Sequence, residues 1–216
     1  MKNILIAIVV IVIIIAAIMI FSPKPPTDID TAKVADRAPE TNKVEMKDGH
    51  SEDGEDMTDE SKNTPVNVPN SALNFSFVGF GPGKSHTGTF EEYEIKDVIV
   101  NESGIPVSGM VVFETDSVKT DSSVLDGHLC EKDNFLNCSV NKQITFDLKE
   151  IISENGSELE VVGDLSFRGI VKEIAFPVTI EGNQASADFK INVSDFGFSA
   201  AGIVNKEVQI KFTGTL

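Results

Sequence analysis

Strict alternation of apolar and polar residues runs through the last third of this chain, and a helix cannot use it. Ile144, Phe146 and Leu148 interleave with Gln143, Thr145 and Asp147. Leu159, Val161, Gly163, Leu165 and Phe167 interleave with Glu160, Val162, Asp164 and Ser166. Ile174, Phe176, Val178 and Ile180 follow, then Ala187, Phe189, Ile191 and Val193, and last Val208, Ile210 and Phe212. Successive strand side chains point to opposite faces, so the pattern predicts five half-buried antiparallel strands sharing one apolar face. Glu181-Gly182-Asn183 makes a good hairpin turn. Residues 73–80, 89–100 and 107–114 also read as strands, less cleanly. Pro177 cannot donate to a ladder, which predicts an edge or a bulge in its strand. Between 115 and 138 the alternation breaks, and a short helical excursion covering one end is expected. About eight antiparallel strands in an all-β domain is the result. A barrel and a two-sheet sandwich fit this periodicity equally well.

The N-terminal part has a different character. Residues 4–21 contain only Ile, Val, Ala, Leu, Met and Phe. As a helix they span roughly 27 Å, about the hydrocarbon thickness of a bilayer. A cleaved signal peptide competes, but its apolar region is ordinarily shorter and ends in a small-residue site. Residues 1–21 are therefore expected to be an uncleaved transmembrane anchor, with Lys2 favouring a cytoplasmic N-terminus. Residues 22–72 have no Phe, Tyr or Trp and are rich in Pro, Asp, Glu, Lys, Ser and Thr. Such a segment buries too little to offset its ordering entropy, so a disordered acidic stalk spanning ~40 Å is expected. Residues 73–216 are then the folded domain, single-pass tethered and held outside the cytoplasm. The acidic run at 48–56 looks like a calcium loop, but His50 occupies a ligand position and no flanking helices are legible. It reads as a solvated spacer.

The formal charge of −16 argues against nucleic acid as a partner. Cys130 and Cys138 sit in a domain expected to face an oxidising compartment, and a disulfide across a turn near Asp133-Asn134 is the expected state. A straight helix would hold them too far apart, and zinc lacks ligands, since only His128 is near. Five Asn-x-Ser/Thr triplets occur, but several fall in expected strands, and they carry little weight as glycan acceptors.

Several motifs imitate chemistry. Gly79-Phe80-Gly81-Pro82-Gly83-Lys84-Ser85 resembles a phosphate-binding loop, but Val78 stands where the first glycine is needed, and a strand follows where a helix should. A glycine-rich turn is the plain reading. Asp195-Phe196-Gly197 lacks every other kinase signature. His86 and His128 lie near Ser85 and Asp126, yet no oxyanion motif accompanies them. No catalytic residue, metal or cofactor is expected, and the two histidines read as structural.

Taken together, four blocks are familiar. They are Phe77-Val78-Gly79-Phe80-Gly81-Pro82-Gly83-Lys84-Ser85-His86-Thr87-Gly88-Thr89-Phe90, Leu125-Asp126-Gly127-His128-Leu129-Cys130, Gly163-Asp164-Leu165-Ser166-Phe167-Arg168-Gly169-Ile170 and Val193-Ser194-Asp195-Phe196-Gly197-Phe198. Their order and spacing over residues 73–216 resemble the YceI-like family of exported lipid-binding proteins. Arg168-Gly169-Ile170 stands where that family usually has His-Gly-Val. The resemblance implies an eight-stranded lipocalin-like barrel whose apolar interior binds isoprenoid or other long amphiphilic lipids, without catalysis.

The residues agree with that implication. The chain holds 14 Phe, one Tyr and no Trp, so an interior can be almost wholly apolar. Phe80, Phe113, Phe146, Phe167, Phe176, Phe189 and Phe212 are the candidate cavity lining. Lys84, His86 and His128 are the candidates beside a polar headgroup, where they would offset the negative charge of the domain. The expected function is a membrane-tethered carrier for polyisoprenoids or quinones. The alternative is a non-catalytic cell-surface scaffold or adhesion domain whose same phenylalanines fill a solid core. The sequence indicates no protein partner.

Overall fold

A computed structural model of the chain describes residues 28–35, 63–69, 73–81, 83–102, 104–155, 158–199 and 205–215. The expected apolar anchor at 4–21, the acidic run at 48–56 and most of the expected stalk lie outside the described residues. Among the described residues no helix is long and apolar enough to cross a membrane.

Every ladder between the described strands is antiparallel. In chain order the strands are β1 (Lys33–Ala35), β2 (Thr64–Val66), β3 (Leu73–Gly81), β4 (Lys84–Phe90), β5 (Tyr93–Val100), β6 (Pro106–Glu114) and β7 (Val118–Thr120). One helix follows, α1 (Ser123–Glu131). Then come β8 (Gln143–Asn155), β9 (Glu158–Phe167), β10 (Ile170–Glu181), β11 (Gln184–Asn192) and β12 (Glu207–Thr215). The sheet order is β2-β5-β6-β8-β9-β10-β11-β12-β3-β4-β7, with β1 added on β10.

β4 and β7 at one end of that order are continuous in the chain with β5 and β6 near the other, so the sheet curls into a barrel. β4 runs on into β5 through Glu91-Glu92, and β6 runs on into β7 through a 3-10 turn at Thr115–Ser117. Both halves of one stave face both halves of the other, Phe90 opposite Val118 and Tyr93 opposite Phe113. Across the break, Glu114 N–H donates to the Glu92 carbonyl (3.0 Å) and Glu91 N–H to that of Ser117 (3.1 Å). The five alternating segments become β8 to β12, except that Val193 falls in the 3-10 turn Val193–Phe196 just after β11. Twelve strands stand where about eight were expected. The two interrupted staves account for part of the difference, since residues 89–100 were read as one strand. β1 and β2 account for the rest, because both come from the expected stalk. Disorder therefore does not hold at 33–35 and 64–66: backbone pairing with β10 and β5 satisfies their amides where side-chain burial alone would not.

Two expectations about turns hold. The glycine-rich segment after β3 is a turn with Gly83 at φ 78°, and a strand follows it. Gly182, at φ 65°, makes the β10–β11 hairpin. Pro177 also acts as its chemistry dictates. It keeps its partner Glu160 on β9, but the β10–β11 ladder stops at Thr179 and Ser186, just short of it.

α1 and the loop after it cover one end of the barrel. Cys130 and Cys138 are disulfide-bonded, as expected, with Cα atoms 4.7 Å apart. The chain turns between them: Leu136 N–H donates to Leu129 O, and Cys138 N–H to Cys130 O, both at 3.0 Å. Thr115, fully buried, anchors this cap to the wall through its hydroxyl, which donates to Asn141 O (2.5 Å) and Lys142 O (3.0 Å). A disulfide closing so short a loop restricts the unfolded chain by about 2.5 kcal/mol. Replacing both cysteines with serine should lower unfolding stability by about that amount in a urea titration, with the barrel's circular dichroism retained.

Candidate functional site

The barrel is hollow. Its inner face bounds a cavity of ≈ 1110 Å³ that reaches from α1 to the opposite end of the staves, where β2, β5 and β6 begin or end. The lining is almost wholly apolar, because the inward residues are the apolar half of each alternating strand. Leu148, Ile151, Leu165 and Ile210 line the cavity and pack against the wall, but stay only partly buried, since they border open space. Two groups of side chains hold the wall together. One, at the centre, includes Ile174, Phe176, Val178 and Phe189. The other, under the cap, includes Phe90, Phe113, Leu136, Phe167 and Phe196. Leu165 packs against both.

Ring contacts order the lining. Phe176 stacks on Phe189 with centroids 4.2 Å apart and planes 8° from parallel, and meets Phe146 at 5.5 Å and Phe212 at 6.1 Å. Phe113 meets Phe75 at 4.6 Å and Phe90 at 5.5 Å. Offset and tilted rings gain beyond area burial, so these contacts stiffen a wall with no solid core behind it. Phe146 needs Gly163 opposite: a Cβ there would lie 2.4 Å from the ring and 2.5 Å from the Asp147 carbonyl oxygen. The single tyrosine, Tyr93, donates its hydroxyl to Leu73 O at 2.5 Å, and burial pushes its phenol up.

All seven candidate phenylalanines, Phe80, Phe113, Phe146, Phe167, Phe176, Phe189 and Phe212, line this cavity. The three headgroup candidates separate. His86 is part of the wall, near the capped end. Lys84 and His128 are exposed and do not line it. Phe75, Phe77, Phe90 and Phe198 also line the cavity and were not among the candidates. For Phe75 and Phe77 the signal was present in the sequence, as an alternation of Leu73, Phe75 and Phe77 with Asn74 and Ser76.

His86 is the one ionisable side chain among the described lining residues. Its Nδ1 lies 2.5 Å from Asp121 Oδ1. That bond to His86 holds the exposed Asp121 carboxyl below the usual carboxylate range. A carboxylate can only accept here, so Nδ1 carries the proton and Nε2 is the ring nitrogen left for another partner. Nε2 has no hydrogen-bond partner among the described residues.

Two further residues hold the cap. Asp126 accepts from the Thr120 amide (2.7 Å) and hydroxyl (2.6 Å) and pairs with Lys119 at 3.3 Å. Burial pushes its carboxyl up, but Thr120 and Lys119 outweigh that and hold it below its ordinary value. Arg168, on the β9–β10 turn, donates from its guanidinium to the Phe135 carbonyl and to the Asp133 carbonyl (2.6 Å). It thereby ties the loop after α1 to the wall, a link that a histidine's shorter side chain with two ring nitrogens could not make in the same way.

Comparison with known proteins follows this geometry. Residues 65–216 match the family described as the YceI-like domain. The chain is 28% identical over 166 residues to protein YceI of Escherichia coli O157:H7, covering 70% of this chain and 80% of that one. It is 28% identical over 134 residues to a UPF0312 protein of Serratia proteamaculans, covering 57% and 69%. Among crystal structures, Burkholderia cenocepacia BcnA aligns with a TM-score of 0.58 at 22% identity, over 68% of this chain and 98% of that one. A YceI protein of Campylobacter jejuni aligns at 0.51 and 20% identity, over 60% and 84%. At such identities the structural likeness establishes the fold.

Asp126 offers a direct check of the cap. Hydrogen bonds to a charged group contribute roughly 1.5–3 kcal/mol, so Asp126→Ala should destabilise the domain by about that much. The folded carboxyl titrates below the unfolded one. Its contribution is complete above the unfolded value near pH ~4 and vanishes as pH falls through the lower folded value. Chemical denaturation at pH 7 and pH 3 should therefore show a large gap between native chain and variant at pH 7 and a smaller one at pH 3.

Proposed function

The chain belongs to the YceI-like family, and from that premise we propose that its barrel binds and carries a long-chain amphiphilic lipid, a polyisoprenoid or a quinone, and acts by binding, without a catalytic step. The observation that carries this reading is the cavity. At ≈ 1110 Å³ it exceeds the ~300–1,000 Å³ typical of sites for drug-sized ligands, and its walls offer almost nothing polar. Burial at about 25 cal/mol per Å² then supports tight binding of a chain without any charged anchor. A scaffold with a solid core has no use for such a space, and the hollow interior speaks against that alternative.

His86 is the polar point of the site. With Nδ1 committed to Asp121, Nε2 is left to form a hydrogen bond with a ligand's polar end, which suits the oxygen of a polyprenol or a quinone. The seven candidate phenylalanines would hold the chain. Lys84 and His128, being off the wall, act at most on the approach of a headgroup. The anchor, the extracytoplasmic location and the single-pass tether remain part of this proposal. The apolar run at 4–21 supports them, and so does the disulfide, which persists in oxidising compartments.

Solvent extraction and mass spectrometry of the chain purified without harsh detergent should yield one long-chain amphiphile per protein. Leu165→Trp, which puts bulk at the centre of the cavity, should reduce that occupancy at least about tenfold while the fold survives, as an overpacked partly buried site costs only about 1–3 kcal/mol. Empty native protein that also ignores added polyprenyl lipids would refute the reading.

A further inference from the structure

Among the described residues, the wall has a seam that its own barrel strands do not close. β10 and β11 share only Thr179, Ile180 and Glu181 with Ser186, Ala185 and Gln184. Beyond that point β10 continues to Ile170 and β11 to Asn192, and the two edges part. Pro177 is the cause, because it offers no N–H to continue the ladder. Two facing edges of unpaired amides beside an apolar cavity would be costly.

Residues 30–35 occupy that seam and bond to both edges. On one side Lys33, Val34 and Ala35 pair with Ala175, Ile174 and Glu173 of β10. On the other, Ala32 N–H donates to the Lys190 carbonyl (2.8 Å) and Lys190 N–H to that of Asp30 (2.9 Å). Ala32 is buried and Val34 packs against the group containing Ile174, Phe176 and Phe189, which line the cavity. The segment lies before residue 65, where the family match begins, so it adds to the wall from outside the matched region.

We propose that residues 30–35 form a strap across a lateral slit between β10 and β11, and that its release opens the route by which the lipid enters and leaves. The inference rests on the carrier reading. The strap is sparsely bonded: three pairs to β10 and one bridge to β11, against ten consecutive pairs between β9 and β10. Its surface ion pair of Lys33 with Glu160, at 2.5 Å, is mostly exposed on the lysine side and adds little. Short, sparsely bonded elements open well before a wall does. A lateral slit also suits a long chain, which can pass sideways out of a barrel whose end is capped by α1 and a disulfide-bonded loop.

The test uses the full chain loaded with a fluorescent polyprenyl lipid and mixed with phosphatidylcholine vesicles. Lys33→Cys with Ala175→Cys places two thiols at directly paired positions that do not line the cavity, close enough to bridge. Once bridged, this variant should slow transfer at least about tenfold relative to the two single variants, with equilibrium binding unchanged. Lys33→Glu, which sets like charge against Glu160, leaves the core untouched and should speed transfer. Hydrogen exchange on the native chain supplies a readout independent of lipid: the amides of Ala32 and Lys190 should exchange faster than those of the β9–β10 ladder. Equal transfer rates in bridged and native chains, or strap amides as protected as that ladder, would overturn the strap. Native protein that binds no lipid while its strap amides still exchange fast would overturn the carrier reading instead.

Discussion

Backbone hydrogen bonds running from stave to stave hold the wall of this barrel, and the side chains of its inner face meet across space. In an ordinary small domain the apolar faces pack on one another and the ladder is secondary. Here the ladder continues through two broken staves, at Glu91-Glu92 and at Thr115–Ser117, and that continuity lets the sheet curl and keep its interior open. Such a space is expensive to leave dry. Extending the ~24 cal/mol per Å³ measured for small cavities over this volume exceeds the ~5–15 kcal/mol that holds a typical domain folded. An apolar occupant therefore contributes to stability as well as to function.

The capped end shows how the hollow interior is kept from opening there. Thr115 joins the wall to the loop after α1, the Cys130–Cys138 bond holds that loop against the helix, Asp126 fixes the corner from β7 into α1, and Arg168 draws the loop down from the β9–β10 turn. These are four different chemistries over a short arc. The seam between β10 and β11 has nothing comparable, only one added strand and a proline that forbids the direct ladder. Under the strap proposal, strength at the cap and weakness at the seam together direct a long cargo to the seam.

Much of this was legible in the chain. Period-two alternation located β8 to β12, and the same alternation selected the phenylalanines that line the cavity, because the inward face and the apolar face of such a strand are the same face. Proline chemistry marked Pro177. The missing parts depend on long-range contacts. β1 carries too few apolar residues to announce itself, and only the unpaired edges of β10 and β11 make it a strand. His86 and Asp121 lie 35 residues apart, so no local motif joins them. The break at Glu91-Glu92 follows from the bend that a stave must make to stay paired on both halves, which periodicity does not encode.

The central claim is that the hollow apolar interior holds the chain of a long lipid. It is tested most directly by titrating the native protein with polyprenols of increasing length. Each buried CH₂ contributes about 0.8 kcal/mol, so every added isoprene unit should tighten binding at least about tenfold until the cavity is full, after which affinity should level off. Affinity that does not change with chain length would contradict the account.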